Sequence, residues 1–372
     1  MAGVSASPLS PRRDVPLAPF STLGVGGAAA WFVEAQTPED VAAAHLWAQE
    51  RDLPLLVLGG GSNLVIADTG VPGLVLRIAL RGRTQVPEGG AVRLRAAAGE
   101  SWDAVVGEAV ASGLAGIECL SGIPGTVGGT PIQNVGAYGQ EVSASIVDLE
   151  LFDRASGTFA RLQGDECGFG YRMSRFKRED AGRFIVCAAT FRLQHAAPAI
   201  RYADVDAALR SAGVTAPTVA DVRTAVLAVR RKKGMVLDAA DPDSRSVGSF
   251  FMNPVVSAAE HEAVSAQAGE RAPGFLTEDG GIKMPAAWLI ERAGFAKGHV
   301  DGAVGVSSKH PLAIVNRGGA SAADVIRLAS DVKRRVHERF SVVLRPEPIF
   351  VGFEGNAAVD YLRRTPDVHS PD

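Results

Sequence analysis

The sequence predicts an α+β protein, in which a glycine-rich, mixed α/β part reaches to about residue 195 and a more helical part follows. Apolar residues make up 47% and charged residues 21% of the 372 residues, enough to bury a sizeable core. Short apolar runs and helical patterns alternate in the first part, whereas helical periodicity is more frequent after residue 198. The length is that of more than one domain.

The first part begins with a helix signal. Thr37 can cap a helix, Pro38 suits the first helical position, and the two acidic residues after it favour the positive helix end. A buried strand is predicted over residues 53–58, directly before a run of glycines. Ser101 is predicted to cap a second helix, which runs to residue 112 and is stopped by a glycine.

Strands dominate the middle of the chain. Residues 147–153 alternate between apolar and polar side chains, and Ser156 with Gly157 predicts a hairpin turn into a strand over 159–162. A further strand is predicted over residues 184–193. This order is typical of an antiparallel sheet.

The second part carries two helical faces and two closing strands. Val222, Val226 and Val229 share one helix face, and a second valine- and leucine-rich face recurs from Val325 to Val336. Strands are predicted over residues 342–344 and 349–351. The polar, proline-bearing ends, residues 1–16 and 355–372, are predicted to be flexible tails.

Charge and cysteine content exclude several classes of protein. The chain has 38 Lys and Arg against 41 Asp and Glu, so no concentrated positive charge favours nucleic acid or an anionic membrane as a partner. The three cysteines form no C-x-x-C pair and lack histidines at ligand spacing, so neither disulfides nor a metal site is expected. No signal peptide or membrane span is recognisable, which predicts a cytoplasmic protein.

Two glycine-rich loops are candidates for anion binding, because glycine lets backbone N–H groups approach a phosphate closely. The first covers residues 59–63, and the second, residues 122–139, holds six glycines in eighteen positions. Neither is a dinucleotide fingerprint or a P-loop. For the first loop alone, a tight strand-to-helix turn is the favoured interpretation, whereas composition leaves both a packed loop and a binding loop open for the second.

Single residues elsewhere have ordinary structural interpretations. Ser249 lacks the context of a hydrolase nucleophile and could be a helix cap or a core hydroxyl. Glu347 stands between two prolines, and most such acids are surface charges. The basic run from Arg230 to Lys233 suits a helix C-terminus, and the isolated His310 has no partner at a telling spacing.

Together, these segments form a pattern that extends over nearly the whole chain. They are Leu58-Gly-Gly-Gly-Ser-Asn-Leu64, Ala98-Gly-Glu-Ser-Trp102, Leu120-Ser-Gly-Ile-Pro-Gly125, Pro131-Ile-Gln-Asn-Val-Gly-Ala-Tyr-Gly139, Phe169-Gly-Tyr-Arg172, Val247-Gly-Ser-Phe-Phe251, Asn253-Pro254 and Pro346-Glu347. In this order they resemble the UDP-N-acetylenolpyruvoylglucosamine reductase family, flavoenzymes of peptidoglycan precursor synthesis. Met173 departs from the pattern, since many members carry Asp or Thr after the Tyr-Arg pair.

The resemblance implies a fold with an FAD-binding half and a substrate domain. The FAD-binding half would be of the vanillyl-alcohol-oxidase type, with two subdomains over residues 17–200 completed by C-terminal strands at about 341–354. The C-terminal α+β substrate-binding domain would cover residues 201–340.

The resemblance also implies site residues of three kinds. The catalytic residues would be Arg172, Ser249 and Glu347. The substrate-binding residues would be Tyr171, Tyr202, Lys233, Asn253 and His310, with Tyr202 marking the first, tyrosine-bearing subtype. The FAD-binding residues would be Gly59, Gly60, Gly61, Ser62, Asn63, Ile123, Pro124, Gly125, Gly129, Thr130, Asn134 and Gly136. Because neither loop contains a histidine, noncovalent FAD is expected.

The implied reaction uses NADPH as hydride donor and a small nucleotide sugar as substrate. FAD would pass hydride to the enolpyruvyl group, Ser249 would donate the proton, and Arg172 with Glu347 would polarise the carboxylate. Two other classes remain as alternatives: a flavin oxidase or dehydrogenase acting on a sugar or alcohol, and a non-enzymatic flavin- or nucleotide-sugar-binding module. The former would need a base more than a proton donor, and the latter would have little use for the catalytic trio.

Overall fold

A computed structural model describes residues 9–364. Within this range the strands are β1 (Arg12–Pro16), β2 (Ala28–Ala35), β3 (Leu55–Leu58), β4 (Leu64–Ile66), β5 (Val71–Ile78), β6 (Arg83–Glu88), β7 (Ala91–Ala97), β8 (Gly136–Ala137), β9 (Gln140–Glu141), β10 (Ile146–Asp153), β11 (Thr158–Gln163), β12 (Phe184–Gln194), β13 (Val255–Val256), β14 (Phe275–Leu276), β15 (Ile282–Lys283), β16 (Val300–Asp301), β17 (Val304–Val306), β18 (Ile314–Asn316) and β19 (Ile349–Val351). The helices are α1 (Pro38–Gln49), α2 (Trp102–Ala111), α3 (Ala203–Ser211), α4 (Val219–Lys232), α5 (Ala258–Ala268), α6 (Ala286–Arg292), α7 (Ala322–Phe340) and α8 (Ala357–Arg363).

The described chain divides into two units. The first comprises residues 9–15, 29–61 and 72–236. It contains a four-stranded sheet in the order β1-β2-β5-β3 and a five-stranded antiparallel sheet in the order β11-β10-β12-β7-β6. Its core includes the fully buried Trp102, Phe152 and Phe191.

The second unit comprises residues 16–28, 62–71 and 237–364 of the described chain. Two three-stranded sheets, β13-β15-β14 and β16-β17-β18, accompany α5 to α8, and β19 pairs in parallel with β4. The long helix α7 buries Val325, Leu328, Val332 and Val336 in the unit's core, which confirms the predicted apolar face.

Local sequence signals locate several elements correctly. Thr37 forms a capping box with Asp40, and Pro38 is the first residue of α1. The hairpin is confirmed, because β10 and β11 pair antiparallel across the turn at residues 156–157. The helix after Ser101 is confirmed as α2, although the Ser101 side chain makes no capping bond; the N–H of Trp102 instead donates to Gly125 O at 3.1 Å.

Other expectations are wrong, and burial explains why. Residues 342–344 form no strand: Val342 and Leu344 are buried in the core of the second unit without ladder partners among the described residues. The tails are ordered in part, since residues 12–16 form β1, and α8 buries Val359 and Leu362 completely. Residues 1–8 and 365–372, the remainder of the tails predicted to be flexible, lie outside the described range.

The division between the units also differs from the predicted one. It falls after Val236 rather than after residue 200, because α3 and α4 pack within the first unit. Val205 and Leu209 of α3 and Val226 of α4 form a buried cluster with Cys119. Residues 341–354, expected to complete the FAD-binding half, group with the second unit.

Lys333 is a buried cation that holds α8 in place. It is 2% exposed, and its Nζ donates to the carbonyls of Tyr361, Leu362 and Arg364 at 2.9, 2.8 and 2.7 Å. Lys333→Met is expected to lower the free energy of unfolding by about 2 kcal/mol, because the final carbonyls of α8 lose a charged donor. Urea denaturation measures this loss, and limited proteolysis within α8 should become faster.

Arg334 provides the control for this variant. It lies on the same helix, half exposed, and pairs with Asp331 and Glu338 at the surface. Arg334→Met should change stability by no more than about 0.5 kcal/mol. Equal losses in the two variants would show that α7, and not the attachment of α8, is affected.

Candidate functional site

Within the first unit, Gly59 and Gly60 of the first glycine-rich loop lie against Gly125 and Thr126 of the second. A Cβ atom added at Gly60 would lie 2.5 Å from the Cα atom of Gly125, and one added at Gly59 would lie 2.9 Å from the Oγ1 atom of Thr126. Gly125 and Gly61 also have positive φ angles, 121° and 61°. Larger side chains at Gly59 and Gly60 would therefore separate the loops.

These paired loops present unused hydrogen-bonding groups. Among the described residues, no hydrogen bond uses the N–H groups of Gly60, Gly61 or Gly125, and the Oγ1 atom of Thr126 is buried without a partner. Backbone donors from two adjacent glycine loops suit the oxygens of a pyrophosphate. The residues present in the first unit therefore fit the pyrophosphate of FAD.

The remaining predicted FAD residues differ in their surroundings. Ile123 and Pro124 are half-buried, and a Cβ atom at the exposed Gly129 would meet no atom within 4 Å. The Thr130 hydroxyl donates to Val127 O at 2.8 Å. Two further members, Ser62 and Asn63, belong to the second unit, whereas Asn134 and Gly136 belong to the first.

A tight turn carries Tyr171 and Arg172. Gly170 and Met173 close it with two backbone bonds, 2.9 Å from Gly170 N to Met173 O and 3.0 Å from Met173 N to Gly170 O. Arg172 has a φ of 53°, which is unusual for a side chain other than glycine. Because the backbone of Met173 closes the turn, its side chain needs no hydrogen-bonding group, and the departure from the family pattern costs the turn nothing.

Asn134 contacts this turn instead of leaving its amide available. Its Nδ2 atom donates to Gly170 O at 2.9 Å and to Glu141 Oε2 at 2.8 Å, and its Oδ1 atom accepts from Ser143 N at 3.2 Å. Both amide hydrogens are used, so the side chain has no donor left for a cofactor. The contact with FAD predicted for Asn134 would therefore have to come from other atoms than the amide hydrogens, and it remains a prediction.

An aromatic and cationic cluster in the first unit contains two of the predicted substrate residues. The rings of Tyr138 and Tyr202 meet edge to face with centroids 5.6 Å apart. The Lys233 Nζ atom lies 5.8 Å from the Tyr138 ring centroid and donates to Asp204 Oδ2 at 2.8 Å. Burial raises the pKa of Tyr138, so its hydroxyl remains protonated at neutral pH.

Arg230 belongs to this cluster, although its sequence position suggested only a helix end. Its Nη2 atom donates to Met235 O at 2.7 Å, while its Nε atom is buried without a partner. Burial lowers the pKa of Arg230. Interactions with Tyr138 and Asp103 partly offset this lowering, and the positive charge of Arg172 adds to it. Sequence analysis missed Tyr138 and Arg230 as site residues. The available signal was a tyrosine between two glycines of the second loop.

In the second unit, a short backbone ladder joins the segment directly after Ser249 to the segment that contains Glu347. Glu347 N donates to Phe250 O at 2.9 Å, and Met252 N donates to Arg345 O at 2.9 Å. Ser249 directly precedes Phe250 and is half-buried. It lies in a loop between residues 244 and 255 and caps no helix, which excludes one of its structural interpretations.

Neighbouring segments support both ends of this ladder. Phe250 N donates to Leu312 O at 2.8 Å, and Leu312 N donates to the Nδ1 atom of His310 at 3.2 Å. The Nδ2 atom of Asn63 donates to Glu347 O at 3.4 Å. The second unit thus brings together the segments that carry Ser249, Glu347, His310 and Asn63.

Asn253 lies farther along the same segment and has a structural contact of its own. Its Oδ1 atom accepts from Ala286 N at 2.9 Å, at the start of α6. Its predicted contact with substrate remains a prediction.

Between residues 9 and 364, no group of three His, Cys, Asp or Glu side chains could hold a metal ion. The three cysteines are free and buried, and burial raises their pKa values to about 12, 11 and 12 for Cys119, Cys167 and Cys187. No helix in the described range is long and apolar enough to cross a membrane.

Comparisons with known proteins find relatives along most of the chain. The family model for the UDP-N-acetylenolpyruvoylglucosamine reductase C-terminal domain matches residues 241–351, and the model for an FAD binding domain matches residues 29–163. The UDP-N-acetylenolpyruvoylglucosamine reductase of Thermobifida fusca is 46% identical over 350 residues, which cover 91% of this chain and 98% of the relative. That of Saccharopolyspora erythraea is 48% identical over 354 residues, covering 92% and 96%.

A solved structure agrees with these relatives. The crystal structure of UDP-N-acetylenolpyruvylglucosamine reductase (MurB) from Thermus caldophilus is similar at a TM-score of 0.63 and 27% identity, covering 92% of this chain and 99% of that one. The matches confirm the predicted α+β fold class with an FAD-binding part and a C-terminal domain.

Proposed function

The chain belongs to the UDP-N-acetylenolpyruvoylglucosamine reductase (MurB) family, and we propose that Arg172, Ser249 and Glu347 are the residues with which it acts on its substrate. It is an FAD-dependent oxidoreductase of peptidoglycan synthesis that reduces UDP-N-acetylglucosamine enolpyruvate to UDP-N-acetylmuramate. The backbone ladder that joins the Ser249 segment to Glu347 is the observation that carries the proposal.

Bound FAD supplies the hydride, which it takes from NADPH. When the terminal methylene carbon of the enolpyruvyl group accepts hydride, negative charge spreads toward the carboxylate. Arg172 binds this carboxylate with the planar guanidinium fork, and Glu347 helps to stabilise the enol-like state. Ser249 donates a proton to the adjacent carbon and completes the reduction. A serine is a poor acid in water, so the proton acceptor must be strongly basic or the hydroxyl must belong to an organised proton network.

The nucleotide-sugar part of the substrate requires further contacts. We assign these to Tyr171, Tyr202, Lys233, Asn253 and His310. In the first unit, Lys233 and the buried Arg230 lie around Tyr138, and this positive charge suits a diphosphate. Tyr202 is half exposed beside Tyr138, as a residue that covers a bound diphosphate would need to be, and it supports assignment to the tyrosine-bearing subtype.

The glycine loops are proposed to hold FAD without a covalent bond. Purified protein should contain FAD in equimolar amount, and heat or acid should release it intact, because backbone donors rather than a bonded side chain retain it. Absorbance of the supernatant after acid precipitation measures the released flavin. Flavin that stays with the denatured protein would contradict noncovalent binding.

One assay separates this function from its alternatives. NADPH oxidation should depend on addition of the enolpyruvyl nucleotide sugar and should produce UDP-N-acetylmuramate, identified by mass spectrometry. Flavin reduction by a simple sugar or alcohol would instead indicate an oxidase or dehydrogenase. Binding of the nucleotide sugar without turnover would indicate a regulatory module.

The reactants indicate the cellular compartment in which the reaction takes place. NADPH and nucleotide sugars are soluble metabolites, and we propose that the enzyme works in the cytoplasm with small molecules as its partners. Nucleic acid and membrane have no part in the proposal, which agrees with the balanced charge of the chain.

A further inference from the structure

Asn134 is a buried polar side chain next to the turn that carries Arg172. It is 1% exposed and has a φ of 43°, a region that asparagine adopts more readily than most residues. Its two amide hydrogens bond to Gly170 O and Glu141 Oε2, and its Oδ1 atom accepts from Ser143 N. One side chain therefore links the second glycine loop to the turn at residues 170–173.

The hydrogen bond from Asn134 to Gly170 O supports a turn that has an unusual backbone conformation. Gly170 O accepts both from Met173 N, which closes the turn, and from Asn134 Nδ2. Arg172 has its φ of 53° inside this turn, and such a conformation persists only when surrounding contacts determine it. A second hydrogen bond joins the loop to the residue that follows the turn: the Ser174 hydroxyl donates to Ile132 O at 2.6 Å.

We propose that Asn134 is a positioning residue for Arg172: through Gly170 O it fixes the turn from which the guanidinium reaches the substrate carboxylate. This inference rests on the proposed role of Arg172. The guanidinium also lies close to the same loop, since a Cβ atom added at Gly136 would be 3.4 Å from Arg172 Nη1. Loss of Asn134 should therefore misplace the guanidinium and leave the FAD loops in place.

Asn134→Gly tests the proposal with little backbone cost, because glycine adopts positive φ freely. Reoxidation of the reduced flavin by the enolpyruvyl sugar should slow about 10–100-fold, as expected when a substrate-orienting group is misplaced. Reduction by NADPH and the FAD content should stay near normal. Asn134→Asp, which keeps the shape but turns an oxygen toward two acceptors, should have the same selective effect.

Ser145→Ala is the matched control. Ser145 is also buried in this segment, and its hydroxyl donates to Val142 O at 3.0 Å without contacting the turn. Both half-reactions should be unchanged in this variant. If they slow as they do in Asn134→Gly, the effect belongs to the segment as a whole and the proposal is wrong.

A double-variant cycle distinguishes positioning from general damage. Once Arg172 is replaced by alanine, Asn134→Gly should change reoxidation by no more than about 2-fold, since the group that it positions is gone. Full additivity, or slowing of both half-reactions together, would overturn the inference. Normal reoxidation in Arg172→Ala alone would overturn the proposed function of Arg172 instead, so the two failures are separable.

Discussion

Ser249→Ala should leave the reduction of bound FAD by NADPH at nearly its normal rate. Reoxidation of the flavin by the enolpyruvyl sugar should then slow by about 10²–10⁴-fold, the range for loss of a positioned general acid. The selectivity arises because only the second half-reaction consumes a proton from this hydroxyl. Stopped-flow absorbance of the flavin follows the two half-reactions separately.

Two further variants sharpen this expectation. Ser249→Cys should recover part of the activity, because a thiol can donate a proton from nearly the same position. Ser265→Ala is the control: Ser265 lies in the same unit, where its hydroxyl donates to His261 O and accepts from Ala272 N. Ser265→Ala should lower the free energy of unfolding by about 1 kcal/mol, and the rates of both half-reactions should be unchanged. Equal slowing of both half-reactions in Ser249→Ala would remove Ser249 as proton donor.

Local chemistry made much of the fold predictable from the sequence. The capping box of Thr37, the turn at residues 156–157 and the apolar face of α7 depend on neighbours within a few residues, so their patterns are visible in the chain. The glycine loops were predictable for a related reason. The close approach of the two loops at Gly60 and Gly125 excludes side chains, so the loops are rich in glycine and the sequence shows it.

Long-range packing was not predictable in the same way. Helices α3 and α4 belong to the first unit because they bury apolar residues against Cys119, which is distant in the sequence. Residues 342–344 have the composition of a strand, yet burial in the second core satisfies their side chains without a ladder. The ordered helix α8 depends on Lys333, a residue that no local pattern distinguishes from other helical lysines.

The candidate site shows the same limit at the level of single side chains. The family motif contains Asn134, but motif membership does not tell whether a side chain faces a cofactor or the protein. In the structure its three side-chain hydrogen bonds go to Glu141, Gly170 and Ser143, which no sequence pattern shows. Arg230 is a similar case. It belongs to a run of basic residues at the end of α4, and its position on that helix decides whether the guanidinium is solvated or buried beside Tyr138.

Arg172→Lys should slow reoxidation of the reduced flavin by the enolpyruvyl sugar by about 10²–10³-fold, the loss seen when one donor to a developing charge is removed. Lysine keeps the positive charge but loses the planar fork that meets both carboxylate oxygens. Arginine and lysine have the same backbone preferences, so the energetic cost of a φ of 53° at position 172 is unchanged. The variant therefore tests the side chain alone.

The FAD content and the rate of reduction by NADPH provide the internal control for Arg172→Lys. Both should stay near normal, because the glycine loops and the turn at residues 170–173 keep their backbone contacts. Arg178→Lys is the external control, since Arg178 lies in the same region, is exposed, donates to Gly168 O and forms an ion pair with Glu179 at the surface. Loss of FAD in proportion to activity would make Arg172 a structural residue, whereas a selective loss of reoxidation in Arg172→Lys alone assigns the fork to the substrate carboxylate.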